Sequence, residues 1–112
     1  MRFCTYKFVL TKSMIKFEWD PDKAAINLAK HGVSFEIATR VFADPFVLSV
    51  QDRIENGEQR WRTLGAVDEL FLLLVVAHTV WDDADGGEVI RIISARRADR
   101  QERRRYEKES SF

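Results

Sequence analysis

A chain of 112 residues, 46% hydrophobic and 32% charged, suffices for one compact domain with a modest core. Eighteen basic and eighteen acidic side chains cancel, so any cationic surface has to come from segregation along the chain. No apolar run approaches the roughly 20 residues that span a bilayer, and the one cysteine, Cys4, allows no internal disulfide and with two histidines makes no credible zinc set.

Residues 1–13 read as an N-terminal extension, disordered or the product of a misplaced start, ahead of a single domain at 14–112. Lys7, Thr11 and Lys12 interrupt any signal-peptide core, and with the lone cysteine this points to the cytoplasm. "MIKFEW" from Met14 reads as the first strand. Asp20 and Pro21 then start a helix, an N-cap oxygen followed by a residue that needs no N–H donor in the first turn. Ala24, Ala25, Leu28 and Ala29 form its apolar face, and Gly32 ends it after His31. Ser34 caps a second helix with an apolar stripe of Phe35, Ile37, Ala38, Val41 and Phe42, which Asp44-Pro45 stops.

Four runs rich in β-branched and aromatic residues follow, at Phe46 to Gln51, Arg60 to Val67, Leu70 to Val80 and Glu88 to Arg96. The short connections "ENG", "VDE" and "DADGG" join antiparallel neighbours, since parallel ones need a longer crossover. An arginine-rich helix carrying Arg103 and Tyr106 closes the chain. The predicted fold is α+β, in the order β-α-α-β-β-β-β-α, with one antiparallel sheet, helices packed on one face and the other face left for a partner or substrate.

"KFEWDPDKAAINLAKHGVSFEIATRVFADP" (Lys16 to Pro45), "RWRTLG" (Arg60 to Gly65), "HT" (His78 and Thr79) and "IRIISARRADRQERRRYE" (Ile90 to Glu107) together resemble the BrnT toxin family. The resemblance implies a ribonuclease toxin of a bacterial type II toxin–antitoxin pair with a RelE-like fold. It further implies inhibition of translation and growth, neutralisation by a BrnA-like antitoxin, and contact with operator DNA only through the antitoxin complex. The chain departs from the family pattern in the arm before Met14, in Ile37 where a carboxylate is common, and in Asp99 where a small hydroxyl residue is common.

Cutting RNA without a metal or other cofactor uses the 2′-hydroxyl as nucleophile, so its proton must be removed, the 5′-oxygen protonated and the phosphorane's charge stabilised. Arginine suits the last task, because its permanent charge is carried on a fork that matches two phosphate oxygens. Arg96 and Arg97, at a strand-to-helix junction, are the leading candidates. They are preferred to Arg91, which strict alternation turns away from Arg96, and Arg60 and Arg62 are the second choices. Arg60 and Arg62 share a face, and with Arg91, His31 and Arg103 they form the candidate RNA-binding set. His78 suits proton transfer near neutrality, and Tyr106 is a candidate for a hydroxyl or stacking role. Each has a structural alternative: a strand-end histidine, a helix C-cap for His31, a packed tyrosine. The alternative function is a non-enzymatic nucleic-acid-binding or co-repressor subunit, or a protein-interaction module.

Overall fold

The computed structural model describes the backbone of residues 4–10, 13–67 and 72–110, and the side chains of 15–67 and 72–109. The elements run β1 (Cys4–Leu10), β2 (Ser13–Trp19), α1 (Pro21–His31), α2 (Phe35–Ala38), a 3-10 segment (Thr39–Ala43), β3 (Leu48–Glu55), β4 (Glu58–Val67), β5 (Leu72–Asp82), β6 (Glu88–Arg97) and α3 (Arg100–Ser110). The sheet order is β1-β2-β6-β5-β4-β3. The α+β class is as predicted, but the sheet is mixed: β2 lies parallel to β6. Hairpin connections dictate the antiparallel pairing from β3 to β6. β2 reaches β6 by way of the whole intervening chain, so nothing local fixes its direction. Cys4–Leu10 adds a strand to the predicted order, antiparallel to β2.

Local signals account for most boundaries. Asp20 accepts from the Asp22 N–H at 2.9 Å, Pro21 occupies the first turn and Gly32 takes the left-handed conformation at φ 69°. Ser34 accepts from the Ile37 N–H at 3.1 Å. Helix α2 is shorter than its apolar stripe predicts and tightens into the 3-10 segment, which lies against β4 where Gly65 has no side chain. A Cβ there would come within 2.7 Å of Val41. The "ENG" turn puts Asn56 at φ 53° and Gly57 at φ 79°, the pair of positive values that a two-residue hairpin turn demands. The first two residues of the predicted Leu70 to Val80 strand, and most of the "VDE" turn, lie outside the described residues.

The main core forms where α1, α2 and the 3-10 segment cover one face of the sheet. It gathers Phe17, Trp19, Phe35, Val41, Leu74, Val76, Ile90, Ile92 and Ala95, with Trp19 set edge-on to Phe35 at 5.9 Å. Helix α1 does not bury the face its alanines predict: Leu28 is 50% and Ile26 65% exposed. The buried position is Asn27, because β6 runs past the end of β2 and leaves its edge at Ala95 unpaired. The Asn27 amide donates to the Ala95 carbonyl at 2.8 Å and accepts from the Ala95 N–H at 3.1 Å, doing the work of an absent strand.

The prediction that all helices share one face is also corrected. Ala98 and Tyr106 pack on Leu64, Leu73 and Val75, which belong to the other face of the sheet, so α3 lies opposite α1 and α2. Ala98 donates its N–H to Leu73 at 2.9 Å, and this extends the β6 ladder into the turn that carries α3 there. Helix α3 covers only part of that face.

Candidate nucleic-acid interface

One irregularity organises the site. On β5 and β6, Ala77 pairs with Ser94 but His78 pairs with Ile92, so Ile93 is an extra residue on β6, a β-bulge. Each residue before the bulge is thereby shifted by one face relative to those after it. Strict alternation predicts that Arg91 and Arg96 diverge; the bulge brings both to the α3 side of the sheet. Arg91 reaches Glu18 on β2 at 3.8 Å and Glu58 on β4 at 3.6 Å, and its guanidinium lies 4.9 Å from the centre of the Trp81 ring. Arg96 reaches Glu102 of α3.

The same face carries Arg60 and Arg62, which alternate with Trp61 along β4. Arg62 lies opposite Ala77, and Ala77 opposite Ser94, so one row crosses three strands; Thr79, Arg91 and Glu18 form the next. The cations are ion-paired: Arg60 with Glu55 at 3.3 Å, Arg62 with Asp52 at 3.5 Å. The face is therefore a lattice of alternating charge rather than a bare cationic patch. Most of these contacts exceed 3.2 Å and join side chains that are 16–47% exposed, so they are loose enough for a phosphate to compete for the arginines.

Arg96 is held more firmly. Its two terminal nitrogens donate to the two Glu102 oxygens at 2.8 and 2.9 Å. Glu102 in turn accepts from the Asp99 N–H at 2.9 Å, while Asp99 accepts from the Glu102 N–H at 2.8 Å, a reciprocal capping box that starts α3. The Arg96 hydrogen bond is the largest of the influences that hold the Glu102 carboxyl below its ordinary range, and burial opposes it. Asp99 caps α3, and Glu102 rather than Asp99 takes the arginine. The "DRQE" spacing carries that signal. Arg97, one residue on, is exposed.

The two titratable candidates part company: His78 leaves this face for the main core, and Tyr106 stays on it with its hydroxyl already engaged. His78 is 3% exposed and faces the main core, its Nε2 2.6 Å from the Thr63 hydroxyl and its ring edge-on to Phe42 at 5.0 Å. Burial pushes its pKa down to about 4. Tyr106 donates to Asp44 at 2.5 Å, and its ring packs on Leu64, Leu73 and Val75. Asp44, 8% exposed, also accepts from the Ala66 N–H at 2.8 Å and the Phe46 N–H at 2.9 Å, so one carboxylate ties the 3-10 segment, β4 and α3. Its position before Pro45 signals a helix stop and gives no hint of this role. His31 ends α1 on the opposite side of the sheet, on the stripe of Ala24 and Asn27. Arg103 is exposed on α3.

Two grooves flank the arginines. One, of about 330 Å³, runs between the sheet and α3 and is lined by Leu48, Val50, Arg62, Val75, Glu102 and Arg105 among others. The second, of about 310 Å³, is lined by Glu58, Gln59, Thr79, Val80, Trp81 and Arg91. Among the described residues no three of His, Cys, Asp and Glu gather into a group that holds a metal, and no helix is long and apolar enough to cross a membrane.

A family model described as a ribonuclease toxin, BrnT, of a type II toxin-antitoxin system matches residues 19–102. The chain belongs to the BrnT toxin family. No curated protein matches it. The BrnT match takes in α1, the whole arginine-bearing sheet from β3 to β6 and the first turn of α3 up to Glu102. It makes this a ribonuclease toxin of a toxin–antitoxin pair, with RNA as target and an antitoxin protein as partner.

Proposed function

We propose that this BrnT-family chain is a cytoplasmic endoribonuclease of RelE-like fold that cleaves RNA without a metal through attack by the 2′-hydroxyl, so inhibiting translation and growth. A BrnA-like antitoxin neutralises it, and operator DNA is met only through the complex of the two. The observation that supports this best is the bulge at Ile93, which sets Arg91 on the same face as Arg60, Arg62 and Arg96. Guanidinium groups on adjacent strands hold a phosphodiester in a fixed pose and stabilise the charge that grows on the phosphorane. Arg91, with Arg60 and Arg62 beside it, is the better placed group for the scissile phosphate. Arg96 is engaged by Glu102 and acts after that pair opens, and Arg97 and Arg103 extend the track for the RNA backbone.

The test is induction of the chain in bacteria, followed by end-mapping of RNA treated with the purified protein in chelator. Wild type is expected to arrest growth and leave 2′,3′-cyclic ends. Arg91→Ala is expected to lose both effects while remaining folded, and the Arg96→Ala, Arg97→Ala double variant to lose less. Binding that falls steeply with salt while RNA stays intact would assign the chain to the non-enzymatic class instead.

A further inference from the structure

Neither titratable candidate read from the sequence supplies ribonuclease chemistry on this face with a proton acceptor, because His78 is turned into the core and Tyr106 is committed to Asp44. Two carboxylates flank Arg91. Glu18 is the more enclosed, its side chain 16% exposed, and lies on the β2 side; Glu58 is 43% exposed and lines the groove that Arg91 shares with Thr79 and Trp81. The groove has room for one nucleotide. It also contains an unmet demand: Thr79 is 3% exposed, and its hydroxyl has no hydrogen-bond partner among the described residues. A buried hydroxyl left so is costly unless a ligand or water answers it. Trp81 supplies the groove's aromatic wall, with the Arg91 guanidinium lying over its ring.

Resting on the ribonuclease reading above, we propose that Glu58 is the catalytic base of this site, with the Trp81 ring face turned away from Arg91 as the stacking platform and Thr79 as a polar contact for the nucleotide whose 2′-hydroxyl attacks. Glu58 takes the 2′-hydroxyl proton as the 2′-oxygen forms its bond to phosphorus. The bond from phosphorus to the 5′-oxygen breaks, that oxygen takes a proton from solvent water, and a 2′,3′-cyclic phosphate remains. Arg91, 3.6 Å from Glu58, sits where it binds the non-bridging oxygens while the carboxylate faces the neighbouring hydroxyl. Stacking on Trp81 orders the base and does not depend on its hydrogen-bonding edge, so the site favours a stacked single strand over a duplex.

Single-turnover cleavage of a short single-stranded RNA in chelator, with RNA affinity measured separately, tests this. Glu58→Gln is expected to slow cleavage at least ~100-fold with affinity changed less than about threefold, and to lose the acid limb of the wild-type pH profile. Glu58→Asp keeps a carboxylate and that limb, at reduced rate. Trp81→Ala is expected to weaken RNA binding about tenfold while the rate at saturation holds, with Trp81→Phe restoring affinity. Glu58→Gln within threefold of wild type, or slowed with its acid limb intact, overturns the assignment alone; the second result makes Glu58 a positioning residue for Arg91. A wild-type chain that leaves RNA uncut overturns the ribonuclease reading and this assignment together.

Discussion

Acidification should destabilise the protein through His78, by an amount that its burial sets. The imidazole titrates at about 4 in the fold against 6.5 when unperturbed, because burial penalises the cation. Above pH 6.5 both folded and unfolded chains hold it neutral, and the fold keeps its full stability. As pH falls from 6.5 toward 4 the unfolded chain binds a proton that the folded chain refuses, so stability is lost; below about 4 both bind it and the loss levels off at roughly 3 kcal/mol. At pH 5 about 97% of unfolded chains but only about 9% of folded ones carry the proton, which corresponds to a loss of about 2 kcal/mol relative to pH 7.

Urea unfolding of wild type and His78→Gln at half-unit steps from pH 7.5 to 4.5 isolates the effect, because His31 and the carboxylates are common to both. Glutamine still reaches Thr63 but does not titrate, so the stability difference should close by about 2 kcal/mol between pH 7 and 5. A constant difference would refute the reasoning, since it would mean that the folded site accepts the proton as readily as the unfolded chain does. The same variant tests His78 in catalysis. At pH 7 only about a thousandth of folded molecules carry imidazolium there, so RNA cleavage by folded His78→Gln should stay within a few fold of wild type, whereas a proton carrier's loss costs ~100-fold or more.

Tyr106→Phe removes one donor from a buried carboxylate and should cost about 1–3 kcal/mol, with faster amide hydrogen exchange concentrated in α3. Asp99→Ser retains a capping oxygen and should keep or raise nuclease activity, while Asp99→Ala should lower stability by about 1 kcal/mol in thermal melts. A clear loss of cleavage in Asp99→Ser would give the carboxylate a role beyond capping. Glu55→Gln releases Arg60 from its ion pair and should tighten RNA binding a few fold at low salt, an advantage that vanishes near 1 M salt, as affinity titrations would show.

Elements governed by their own residues were legible in the sequence. Asp20-Pro21, Gly32 and Ser34 mark helix ends because a cap needs one side chain or one backbone conformation, and Asn56-Gly57 marks a hairpin for the same reason. What escaped depends on partners distant in sequence. The parallel pairing of β2 and the burial of Asn27 follow from where β6 ends up relative to β2, and the crossing of α3 to the second face from the bond between Ala98 and Leu73 of β5, which no window of a dozen residues contains. His78 shows the limit at the site: "AHTV" alternates as any half-buried strand does, and only Thr63 and Phe42 on other elements say that its ring belongs to the core. Glu58, beside a turn, reads as an ordinary exposed end until Arg91 is brought across two strands to meet it. Glu102, by contrast, could have been found from its three-residue spacing to Asp99.

The extra residue at Ile93 makes β6 a strand with two incompatible phases, and this has a consequence for how its substitutions and length changes behave. Point changes at Ile93 itself should be absorbed, because that position answers to no cross-strand partner. Removing it is a different event: the segment before it would rotate half a turn, sending Arg91 toward the place of Ile90 and Ile92 and those two outward. A one-residue deletion there should abolish folding where an alanine does not. For chains that share this strand, length between the isoleucines is therefore a stricter requirement than the identity of any side chain among them.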